Sequence, residues 1–137
     1  MIDLNISARN IEKAAKHMDL SVDIVTRRIA LDLYGRITKK TPVDTGRARA
    51  NWNLSIGSPD YSIEKTDVKS TGKHKNKTSP PSTPKPKKPK LKRGDGMRII
   101  YITNNLPYIS ALEYGHSKQA APHAMVRKSV QEVTGFF

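Results

Sequence analysis

Apolar residues recur at the helical period from residue 8 to 39. Ile11, Ala14, Ala15, Met18, Val22, Val25, Ile29, Leu33 and Ile37 fall on one side at about 100° per residue. Ser7 is placed to cap the start. The stretch HMDLS at 17–21 interrupts the pattern, so the segment is either one long helix or two. A second apolar stripe, Leu20, Ile24 and Leu31 with Tyr34 nearby, projects from the opposite side. Two stripes imply a helix covered on both faces, by its own sheet and C-terminal helix or by a neighbouring subunit. A chain this short has little material for a second cover, so these four residues are the candidate subunit interface.

The period changes after TPVDTG at 41–46. Pro42 holds Thr41 extended, and Asp44 and Gly46 carry turn chemistry. In RARANWNLSIG, Ala48, Ala50, Trp52, Leu54 and Ile56 alternate with Arg47, Arg49, Asn51, Asn53 and Ser55. That period of two predicts a half-buried strand. YSIEKTDV at 61–68 reads as a second strand and MRIIYIT at 97–103 as a third, forming an antiparallel meander. PYISALEYG at 107–115 predicts a short helix closed by Gly115. HAMVRKSVQEV at 123–133 predicts a last helix with Met125, Val126, Val130 and Val133 inward. The expected fold is α+β: a three- to four-stranded antiparallel sheet packed by a long N-terminal helix and a C-terminal helix. Residues 1–137 form a single domain in this reading.

Charge changes the picture in one place. The chain has 25 basic and 12 acidic residues, a net charge of +13. Ten of those basic residues, and no acid, lie between Lys69 and Arg93: Lys69, Lys73, Lys75, Lys77, Lys85, Lys87, Lys88, Lys90, Lys92 and Arg93. The remaining body is nearly neutral. Pro80, Pro81, Pro84, Pro86 and Pro89 punctuate the same stretch. Residues 69–96 are therefore expected to be a disordered or polyproline-like loop inserted between two strands. It serves either as an inert solubilising loop or as a polyanion contact through Lys73, Lys75, Lys77, Lys85, Lys87, Lys88, Lys90, Lys92 and Arg93. With no aromatic from Lys69 to Arg93, base stacking is not on offer.

Little points to catalysis. VDTG contains the Asp-Thr-Gly of aspartic proteases, but it follows KKTP and precedes Arg47, and no second half-motif exists. His116 and His123, seven apart, lack a carboxylate or thiolate at ligand spacing, and His17 and His74 stand alone. Glu113 is a lone acid. There is no cysteine and no glycine-rich phosphate loop. The reading is a non-enzyme without cofactor or metal. No secretory leader and no apolar run of about 20 residues is seen, so a soluble, cytoplasmically assembled protein is expected, with no membrane partner.

Two stretches, KKTPVDTGRARANW at 39–52 and NNLPYISALEYGHSKQAAPHAMVRKSVQEV at 104–133, resemble a known family. This is the tail-completion, or type-1 neck, family of long-tailed bacteriophages, akin to the lambda minor tail protein Z. The resemblance covers most of the chain outside 69–96. It implies structural work at the head–tail junction: a ring around the DNA channel, six-fold favoured over twelve-fold. The ring would complete the tail and join it to the filled head, beside other neck proteins and the tail terminator. By this resemblance Thr41, Pro42, Val43, Asp44, Thr45, Gly46 and Arg47 match one family motif, with Trp52 in the same stretch. Pro107, Tyr108, Glu113, Tyr114, Gly115 and Pro122 match the other. All are read as turn formers and interface residues, with Asp44 and Glu113 pairing Arg47 or Arg49 within or between subunits. The rival reading is a basic phage nucleic-acid-binding protein acting through the Lys/Pro segment.

Overall fold

A computed structural model describes residues 6–42, 47–63, 87–115 and 123–135. The N-terminal pattern forms two helices, α1 (Ala8–Met18) and α2 (Val22–Lys40). Ser7 and Ser21 cap them, each hydroxyl accepting a backbone N–H three residues on. Asp19, at φ 54°, turns the chain between them, and the Leu20 N–H returns to the Ala15 carbonyl. The two helices then pack through Ala14, Ala15 and Val25.

The segment expected to be one strand from Arg47 divides. Arg47–Ala50 is a single helical turn, α3, and only Asn53–Ile56 is strand β1. Alternation over four residues does not exclude a helix, and Ala and Arg favour one. Asn51 and Asn53, expected to face solvent, are buried. Their amides donate to the carbonyls of Arg47 and Ser62 respectively.

Strand β2 is Ile100–Thr103, antiparallel to β1 with Leu54 opposite Ile102 and Ile56 opposite Ile100. Tyr61–Ile63 is exposed and has no strand partner among the described residues; the rest of the expected second strand lies outside them. Among the described residues the sheet therefore has two strands, which corrects the expected three or four. Helix α4 (Ile109–Tyr114) ends at Gly115, whose φ of 87° suits glycine, and α5 (Met125–Thr134) closes the fold. The α+β class holds coarsely, with five helices and a hairpin-sized sheet among the described residues.

The main core joins Leu33, Tyr34 and Ile37 of α2 to Ala48, Trp52, Leu106, Ile109, Met125 and Val133. Glu132 bridges α5 to Arg36 and Lys40 of α2 on the surface. Those two cations hold its carboxyl below the usual range.

Candidate functional site

Three polar centres hold the elements together, and the two resembling stretches form two of them. At the end of α2, Thr41 is buried. Its hydroxyl donates to the Ile37 carbonyl at 2.7 Å and accepts the Trp52 indole N–H at 2.9 Å. Arg49 donates to the Thr41 carbonyl at 2.9 Å and the Lys39 carbonyl at 3.1 Å. Its guanidinium thus covers carbonyls that a helix C-terminus leaves unpaired, where the helix dipole favours positive charge. Tyr34 completes the joint by donating its hydroxyl to the Trp52 carbonyl.

The second centre is the corner from α4 to α5. The Glu113 carboxylate is fully buried and accepts the N–H groups of Val126 and Arg127 at 2.8 and 3.1 Å. Arg127 Nε donates to the same carboxylate at 3.0 Å. Its Nη2 donates to the Glu113 carbonyl at 2.7 Å. Its guanidinium lies 4.5 Å from the centre of the Tyr114 ring. Glu113 therefore caps α5 from another helix, satisfying donors that its own N-cap, Ala124, cannot. Every oxygen of this carboxylate is engaged, which suits a fastener and not a proton carrier.

The third centre joins residues too far apart in the chain for any local pattern to signal it. The Asp23 carboxylate accepts the Gly94 and Gly96 N–H groups at 3.0 and 2.7 Å and pairs with Arg27 at 3.0 Å. These contacts, Gly94 first, hold its carboxyl below 3.8 even though partial desolvation opposes them. They fix a 3₁₀ turn, Asp95–Met97, against α2. Residues 87–96 are thus attached to the body, where a disordered loop was expected; 69–86 lie outside the described residues. Because the Asp23 pKa is depressed, its stabilisation is complete above the unfolded value near pH 4. It is lost as pH falls through the lower folded value. Urea midpoints measured from pH 6 to pH 2 should fall on the acid side, and Asp23→Asn should flatten that fall; an unchanged acid limb would refute the assignment.

The expected pairing of Glu113 with Arg47 or Arg49 is replaced by Glu113 with Arg127, fourteen residues on, a separation that carries no local signal. Of the first motif, Val43, Asp44, Thr45 and Gly46 lie outside the described residues, as do Pro122, His74 and His116. Arg47 is exposed and Pro42 half-buried. Pro107, Tyr108 and Tyr114 are exposed around the second corner. His17 and His123 are exposed, and no cluster of three metal-ligating side chains occurs among the described residues.

The proposed second stripe also divides. Tyr34 is 4% exposed in the main core, and Leu20 packs against the α1–α2 cluster. Ile24 is half-buried. Leu31 is exposed and borders a groove of about 440 Å³ with Gly35 and Lys87–Pro89. The break at Asp19 folds α1 back over α2, supplying cover that one continuous helix would have lacked. No described helix is long and apolar enough to cross a membrane.

These centres define a small α+β domain whose polar residues are spent on joining elements. Compared with family models, curated proteins and solved structures, the chain matches none.

Proposed function

We propose that this chain is a structural virion protein that completes the tail or neck of a long-tailed phage and joins it to the DNA-filled head. It would act as part of a ring at the head–tail junction, assembled in the bacterial cytoplasm. Neighbouring neck proteins and the tail terminator would be its partners, with the DNA channel at its centre. The reading rests on the resemblance of 39–52 and 104–133 to the tail-completion family. One structural observation supports it most: both stretches form joints of the fold, in which Thr41, Arg49 and Trp52, and Glu113 and Arg127, are engaged with one another or with backbone. Residues kept for architecture suit an assembly part better than an enzyme.

Exposed apolar side chains agree with subunit contacts. Tyr61 and Ile63 flank one end of the small sheet, and Met97 and Ile99 flank the other, the latter two 70% and 66% exposed. Exposed apolar side chains grouped at a sheet end commonly mark an interface. Each strand also has one edge without a strand neighbour among the described residues.

Silencing the gene in its phage should leave DNA-filled heads beside unattached tails in electron micrographs of the lysate. Normal infectious virions would overturn the proposal.

A further inference from the structure

The basic segment ends in a pattern that its composition conceals. From Lys87 to Lys92, exposure alternates residue by residue. Lys87, Pro89 and Leu91 are half-buried, whereas Lys88, Lys90 and Lys92, and then Arg93, are exposed. A period of two is that of an extended chain lying on a surface. Successive outward lysines on such a chain stand about 6.7 Å apart, twice the residue rise.

Both ends of this stretch are fastened. Lys87 Nζ donates to the Asn53 side chain at 2.5 Å, beside β1. At the other end Asp23 holds Gly94 and Gly96, and the Asp95 carboxylate accepts the Lys92 N–H at 2.6 Å. Gly96 permits the close approach: a Cβ there would lie 2.2 Å from the Asp23 carbonyl oxygen. The nearby acids are turned away from the outward row. Asp23 and Asp95 accept backbone N–H groups, and Asp60 faces Lys87 of the inward row. Among the described residues, Lys88, Lys90, Lys92 and Arg93 enter no ion pair.

We propose that Lys88, Lys90, Lys92 and Arg93 form a fixed cationic rail that binds the phosphate backbone of nucleic acid without regard to sequence. Two features select this partner over an acidic protein. The outward row carries charge alone, with no aromatic or aliphatic anchor of the kind that dominates protein interfaces. The even spacing of Lys88, Lys90 and Lys92 matches a repeating anion, and without aromatics the row offers nothing to read bases. Because the rail is already ordered on the body, binding does not have to fix its backbone first. The contact does not rest on the neck reading: it would hold for any protein that meets DNA.

The test is binding of the full chain to a fluorescently labelled random-sequence DNA duplex, titrated at several salt concentrations. Each lost phosphate contact lowers the slope of log K against log salt by about 0.9. Lys88→Gln, Lys90→Gln and Lys92→Gln together should therefore lower the slope by about 2.7. The same three changes at Lys73, Lys75 and Lys77 should lower it by less than about 1. Gly96→Ala, which leaves every charge in place, should weaken binding while circular dichroism shows the helices intact. If that variant unfolds, the two lysine triples decide. Equal loss from both triples would reduce the segment to a loose polycation and overturn the rail. So would absence of DNA binding by the wild type, or capture of an acidic protein in preference to DNA. Loss of DNA binding with heads and tails still joined would separate this contact from the neck function.

Discussion

Glu113→Ala is expected to destabilise the domain by about 3 kcal/mol, read as a lowered urea midpoint with an unchanged slope. The carboxylate is fully buried at the start of α5, and its removal strands the Val126 and Arg127 N–H groups. Losing a helix N-terminal cap costs about 1 kcal/mol, and burying unsatisfied donors adds about 1–3. The Arg127 side chain is 40% exposed and can turn to water, which keeps the loss below that of a wholly buried pair. Arg127→Ala should cost somewhat less, about 2 kcal/mol, because the buried Glu113 carboxylate keeps its two backbone donors but loses its counter-charge. The double variant should resemble Glu113→Ala alone, because both act on one centre. Additive losses would show that the two residues stabilise the corner independently.

Trp52→Ala should cost more, about 4 kcal/mol, a large part of the stability of a small domain. Trp52 is 3% exposed and lies where α2, α3 and β1 meet. The change removes its ring from the core and the donor from Thr41 Oγ1. Trp52→Phe separates the two effects. It keeps most of the packing and loses the indole N–H, so it should cost about 1–2 kcal/mol. Equal losses for Phe and Ala in thermal or urea unfolding would move the burden from packing to the hydrogen bond. In either variant the Tyr34 hydroxyl retains its acceptor, since that is the backbone carbonyl of residue 52.

Much of the helical architecture was legible in the chain. The 3.6-residue period over 8–39, the Ser7 cap and the break near Asp19 are local properties, and α1 and α2 follow them closely. Gly115 and the Val/Met spacing of 123–133 likewise anticipate the ends and inward faces of α4 and α5. Such features are decided within one or two turns of backbone, so neighbouring residues carry the information.

The sheet is less legible in the chain because short alternation is ambiguous. Arg47–Ala50 satisfies a strand pattern and a helical turn equally, and the choice fell to tertiary contacts. Ala48 enters the core, and the Asn51 amide returns to the Arg47 carbonyl. Tyr61–Ile63 has strand-forming residues but finds no strand partner among the described residues, and β propensity without a neighbour does not make a strand.

The sequence alone determined where α1, α2, α4 and α5 lie, where the charge is concentrated and that 39–52 and 104–133 carry the turn motifs. Only the tertiary structure decided which side chains those stretches engage. Glu113 meets Arg127, Thr41 meets Trp52 and Arg49, and Asp23 reaches across 71 and 73 residues to Gly94 and Gly96. It also decided that the last third of the basic segment is seated on the body with alternate lysines outward. The physical reason is one of range. Capping and periodicity act over a few residues, whereas a buried carboxylate takes whichever donors the folded chain brings to it, and sequence separation does not encode that meeting.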